Sequence, residues 1–110
     1  METQQALGAF AALSQETRLA AFRLLMAEGP TGLPAGEIAE RLGVPQSTLS
    51  FHLSQLERAG LVTSTRRARH VLYAADLEGT RRLLGFLTED CCRGRPEVCG
   101  TALAALAGKG

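Results

Sequence analysis

The sequence predicts a mainly α-helical fold with one small β-hairpin, on three observations. Apolar residues recur at three- and four-residue spacing through successive segments before residue 60, the mark of helices with one buried stripe. At Leu61 the period changes to two, over residues that favour strands. A helical period returns at Leu77. The length of 110 residues suits one domain and is too short for two substantial cores. With 45% hydrophobic and 21% charged residues, the chain falls in the globular range, which argues against wholesale disorder. No apolar run reaches membrane-spanning length and no cationic start precedes an apolar stretch, so the expectation is a soluble, cytoplasmic protein without a membrane partner.

The first helix is expected over Thr3–Leu13, with Leu7, Phe10, Ala11 and Leu13 on one face. Ser14 reads as the cap of a second helix, Gln15–Ala27, whose stripe is Leu19, Phe22, Leu25 and Met26. Gly29-Pro30-Thr31-Gly32 stops it, because proline cannot continue the hydrogen-bond ladder. A short helix follows at Pro34–Leu42, with Ala35, Ile38, Ala39 and Leu42 apolar and Gly43 as its stop. The run Pro45–Ala59 begins with proline, which suits a first helical turn, and repeats Leu49, Leu53 and Leu56.

After Gly60, Leu61–Thr65 and His70–Ala74 read as strands, with Arg66-Arg67-Ala68-Arg69 as the hairpin tip. A last long helix is expected over Leu77–Glu89, with Leu83, Leu84 and Leu87 apolar. Arg93-Gly94-Arg95-Pro96 breaks the chain, and Val98–Ala107 reads as a small terminal helix. The order places a short helix, a tight turn and a longer helix just before a basic two-stranded ribbon. That is a winged helix-turn-helix. The expected organisation is a winged helix-turn-helix unit over residues 1–92 and a tail over 93–110.

Charge is unevenly placed. Residues 1–40 carry two Arg and five Glu, residues 41–73 five Arg and one Glu, and residues 74–110 five of each sign. A basic middle in a chain of net charge +1 points to a local anionic partner, against the plainer reading of a solvated face. A helix with its side chains fits the major groove of double-stranded DNA. With Leu49, Leu53 and Leu56 turned inward, Gln46, Ser47, Thr48, Ser50, Phe51 and Ser54 are the candidates to meet the duplex. Glutamine can pair with adenine edges, hydroxyls with phosphates or bases, and an apolar group with a thymine methyl. Arg66, Arg67 and Arg69 are candidates for phosphates or a narrow minor groove. His52 reads as a hydrogen-bonded histidine at the edge of the core rather than a DNA contact.

The stretch Glu37–Val62 resembles the ArsR/SmtB repressors. Ser47-x-x-Ser50-x-His52-Leu53, followed by Leu56 and Ala59-Gly60-Leu61-Val62, matches the family's recognition-helix pattern, and Gln15-Glu16-Thr17-Arg18-Leu19 matches the start of its second helix. The resemblance spans about residues 5–90. It implies a homodimeric winged-helix repressor, joined through the first and last long helices and released from its operator by a ligand. Spacing alone does not show dimerisation, but the apolar faces of 3–13 and 77–89 exceed what so small a core needs.

All three cysteines, Cys91, Cys92 and Cys99, lie within nine residues. An odd, clustered set is a poor disulfide framework. Gly94 and Pro96 let the chain fold back, so the sulfurs could converge into a soft pocket for a thiophilic ion. Trivalent arsenic takes three thiolates; structural zinc usually wants four ligands, and the only histidines, His52 and His70, sit in the DNA-reading part. A Cys92–Cys99 redox pair and an incidental cluster stay open as alternatives.

Within the resembled family the Cys-x-Cys pair of the best-known arsenic repressors is absent, with Pro34 and Gly36 in its places. The histidine ligands of zinc sensors are missing too, since no histidine follows His70. The thiol pattern resembles a separate arsenite-responsive subgroup and implies Cys91, Cys92 and Cys99 as ligands of As(III), with antimonite or methylated arsenite as variants and no resident cofactor. Oxidation sensing and a response to zinc or another soft metal are the rival regulatory readings. A protein-interaction domain would leave the arginine tip unexplained. An enzyme is not expected, because no acid/base or nucleophile set forms a readable motif.

Overall fold

The computed structural model describes residues 1–89. In chain order they form α1 (Thr3–Leu13), α2 (Glu16–Glu28), β1 (Leu33–Pro34), α3 (Ala35–Leu42), α4 (Gln46–Arg58), β2 (Val62–Arg67), β3 (His70–Ala75) and α5 (Leu77–Thr88). The expected elements are present with ends shifted by a residue or two. The expected terminal helix over 98–107 and the tail over 93–110 lie outside the described residues.

The sheet departs from the expected hairpin by one strand. β2 pairs antiparallel with β3 from Val62–Ala75 to Arg67–His70, and β1 adds to the other edge of β3 through Leu33–Tyr73 and Pro34–Leu72. Two residues, one a proline that cannot donate to a ladder, carry no strand signal of their own. Pairing with residues almost forty positions away makes them a strand.

The core follows the α4 stripe. Leu49, Leu53 and Leu56 are fully buried, together with Leu25, Ile38, Leu61 and Val62. The faces of the first two helices differ from expectation. α1 buries Ala6, Ala9 and Ala12 and leaves Leu7 53% exposed, with Phe10 also exposed; α2 buries Ala21 and Leu25 and leaves Leu19 and Met26 outside. Small side chains let helix axes approach closely, so alanines take the inner face and the bulky residues are turned out.

The cap between these helices also differs. Ser14 Oγ donates to the Ala11 carbonyl at 3.0 Å and so closes α1, while Gln15 Oε1 accepts from Arg18 N–H at 2.8 Å and opens α2. At the other end of the fold, Asp76 Oδ1 caps α5 by accepting from Gly79 N–H at 2.9 Å. The Asp76 N–H donates to the Leu61 carbonyl at 2.9 Å, which pins the start of α5 to the start of the ribbon. α5 buries Leu83 and leaves Leu77 and Leu87 exposed.

Candidate nucleic-acid interface

The two helices of the reading motif are joined by the turn Gly43–Pro45, and Pro45 is the extended residue that opens α4. Because the leucine stripe fixes one side of α4, Ser47, Phe51 and Ser54 recur on the opposite side at helical spacing. Gln46, Thr48 and Ser50 flank them, and all of these residues are exposed. Phe51 leaves 58% of its surface open, although a phenylalanine of this size would ordinarily be in the core.

Gln46 is held more closely than its sequence position suggests. A β-carbon at Gly36 of α3 would stand 3.3 Å from Gln46 Oε1, so the amide lies across the bare backbone of the preceding helix. Sequence reading gave Gly36 no role, because the contact needs the two helices folded against each other. On the flank facing α1 and α2, Arg18 Nη1 donates to His52 Nδ1 at 3.0 Å, and Arg18 Nε donates to the Ala12 carbonyl at 2.7 Å. His52 is therefore the hydrogen-bonded residue at the core edge that its position predicts. Burial, and then the neighbouring guanidinium, hold its imidazole below the ordinary histidine pKa. Phe51 meets the same ring edge-on, with centroids 5.6 Å apart.

The ribbon corrects the expected arginine tip. Arg66 and Arg67 are strand residues of β2, opposite Val71 and His70, and the turn itself is Ala68-Arg69. Side chains alternate along a strand, so the two arginines face opposite sides of the sheet. Arg66 shares its side with Ser64, whose Oγ donates to Glu57 Oε2 of α4 at 2.8 Å. Arg67 shares its side with Thr65, and both line a shallow cavity with Pro30, Thr31, Leu72 and Ala74.

Among the described residues no carboxylate pairs with Arg66, Arg67 or Arg69. Arg41, by contrast, is engaged by Glu37 at 2.6 Å and Glu28 at 3.6 Å. Apart from Arg58 at the end of α4, the positive charge of the middle segment that has no carboxylate partner among the described residues lies on the ribbon. No group of His, Cys, Asp or Glu among the described residues is arranged to hold a metal. Cys91, Cys92 and Cys99 lie outside those residues. No described helix is long and apolar enough to cross a membrane.

Comparison with known proteins gives a consistent picture. Residues 13–65 match the helix-turn-helix domain family. The chain is 40% identical over 80 residues to the uncharacterized HTH-type transcriptional regulator YceK of Bacillus subtilis, covering 71% of this chain and 78% of that one. It is 32% identical over 82 residues to the transcriptional activator HlyU of Vibrio cholerae, covering 74% and 73%. An ArsR-like transcriptional regulator of a Rhodococcus species superposes with a TM-score of 0.70 at 26% identity, covering 94% of this chain and 93% of that one.

Proposed function

Taking as premise that the chain belongs to the ArsR family of winged helix-turn-helix transcriptional regulators, a DNA-binding and non-enzymatic family, we propose that it is an arsenite-responsive repressor. A homodimer holds an imperfect palindrome with half-sites about one helical turn, roughly 34–36 Å, apart. α4 enters the major groove with Ser47, Thr48, Ser50, Phe51, Ser54 and Gln46, and Arg66, Arg67 and Arg69 reach the flanking backbone. The observation that carries the DNA part is the exposed polar face of α4, with Phe51 in it, beside a ribbon whose arginines have no carboxylate partner among the described residues. Dimerisation through α1 and α5 is supported by Leu7, Phe10, Leu77 and Leu87, which stay exposed on these two helices.

The sensing part rests on the sequence. Three thiols confined to residues 91–99, directly after α5, supply a soft three-sulfur donor set. As(III) bound there ties the chain that follows α5 to the end of that helix and alters the spacing of the two reading helices. A coupling of about 1–3 kcal/mol lowers operator affinity some 5–150-fold, and DNA weakens arsenite binding by the same factor.

The test is a fluorescence-anisotropy titration of an operator duplex, enriched from a random pool by the protein itself, with and without arsenite. The repressor reading requires weaker binding with arsenite and no response in Cys92→Ser; equal affinity in both arms sinks it. One solved HlyU structure is of the reduced form, and this favours a second reading in which Cys92 and Cys99 oxidise to a disulfide. Mass spectrometry of peroxide-treated protein separates the two.

A further inference from the structure

We propose that Arg18 is a positioning residue for DNA binding, and that its bond to His52 makes operator affinity fall on acidification. The proposal rests on the reading that α4 enters the duplex. One guanidinium joins three helices: Nε holds the Ala12 carbonyl at the end of α1, Arg18 itself sits in the first turn of α2, and Nη1 holds the His52 ring in the middle of α4. The ring in turn lies edge-to-face with Phe51, 5.6 Å between centroids, and Phe51 is the large exposed side chain of the reading face. Arg18 therefore acts on the duplex through His52 and Phe51 without touching it.

The bond tolerates only one protonation state. Arginine has no acceptor and stays charged, so Nδ1 must offer its lone pair and the ring proton must sit on Nε2. A second proton on Nδ1 removes the acceptor and places two cations 3.0 Å apart. From α2 the charged group against the ring is Arg18; α1 contributes only the Ala12 carbonyl, and that through Arg18. Along α4, Gln55 is uncharged and Arg58 adds a further cation to the cavity that Arg18 lines. Among the described residues no carboxylate pairs with His52 to stabilise an imidazolium. Protonation thus releases α4 from the α1–α2 corner. A histidine that touched phosphate directly would do the reverse, because the duplex would favour its charged form.

The experiment uses a duplex enriched from a random pool by the protein at pH 7.5, with affinities read by anisotropy from pH 8 to 5.5 at constant ionic strength. Every protein carries His70→Gln, which leaves His52 as the only imidazole. The parent is expected to lose affinity about two- to fivefold between pH 7.5 and 5.5, and less than tenfold in any case, because the ring of the free chain already titrates below the ordinary histidine value. His52→Asn, whose oxygen accepts at the Nδ1 position without titrating, gives a flat profile whatever its affinity at pH 7.5. Arg18→Ala gives weaker binding at pH 7.5 and a flattened profile, and the NMR titration of its His52 ring moves up toward the ordinary histidine value. Affinity that rises in acid, a profile unchanged by His52→Asn, or a ring titration unmoved by Arg18→Ala overturns the proposal. A pool that yields no enriched duplex sinks the DNA reading itself, whereas an enriched duplex with a flat parent profile sinks only the switch.

Discussion

The first turn of α5 rests on the corner between α4 and β2, so that a β-carbon at Gly79 would fall on the Gly60 carbonyl oxygen. Two hydrogen bonds frame this contact: Gly79 N–H to the Asp76 carboxylate, and Asp76 N–H to the Leu61 carbonyl. The helix that carries the exposed Leu77 and Leu87 is thereby keyed to the end of α4 through backbone.

Gly79→Ala is expected to destabilise the protein by about 1–3 kcal/mol, because the backbone must separate to admit one methyl group. Alanine's advantage inside a helix, about 1 kcal/mol, works the other way and does not cover this cost. Urea unfolding reads the difference, and an unchanged or raised midpoint contradicts the contact.

Gly36→Ala is expected to raise stability slightly, by about 0.5 kcal/mol, since alanine is the better helix residue and the atom it would crowd is the far end of an exposed, flexible glutamine. Its effect falls on recognition. The Gln46 amide must shift by a few tenths of an ångström off the backbone it lies across, and the sequences enriched from a random DNA pool should change at the base pair Gln46 serves. Identical pools from both proteins would mean that Gln46 does not read bases from this pose.

Arg67→Ala should weaken binding to operator and random DNA alike. The slope of log affinity against log salt should fall by about one, as expected for the loss of one phosphate contact. A selective loss on the operator would assign Arg67 to base reading instead.

Ala68 holds a positive φ of 56° at the first position of the two-residue ribbon turn, a conformation that costs an L-residue roughly 1–2 kcal/mol. Ala68→Gly should therefore raise stability by about 0.5 kcal/mol after glycine's greater unfolded freedom is subtracted. A lower urea midpoint would contradict this backbone geometry.

The pKa of His52 is depressed in the folded chain, so below the ordinary value of about 6.5 the unfolded chain binds more protons. The contribution to stability is complete above about 6.5 and is lost as pH falls through the folded value. The urea midpoint should drop between pH 7.5 and 5.5 by more in the parent than in His52→Asn. Equal drops would show that the ring titrates alike in both states.

Much of this is legible in the sequence. Leu49, Leu53 and Leu56 declare one side of α4 by local spacing alone, so the exposed residues opposite them could be named in advance. The same holds for the change of period at Leu61 and for His52, whose place on the flank of that stripe puts it at the edge of the core. Which way α1 faces was not legible. Leu7 and Phe10 make the stronger stripe, yet Ala6, Ala9 and Ala12 are the buried ones, because the closeness of the neighbouring helix decides which side fits.

The sequence by itself determined the order of the five helices and the two-stranded ribbon, the exposed face of α4 and the cluster of thiols, since periodicity and spacing act over a few residues. Tertiary structure alone decided that Leu33–Pro34 is a strand, that Arg66 and Arg67 part to opposite sides, that Gln46 lies on Gly36, and that Arg18 reaches His52 thirty-four positions away. Each of those relations joins residues far apart in the chain or depends on a pairing register. Their energies exist only once separate helices and strands have packed against one another.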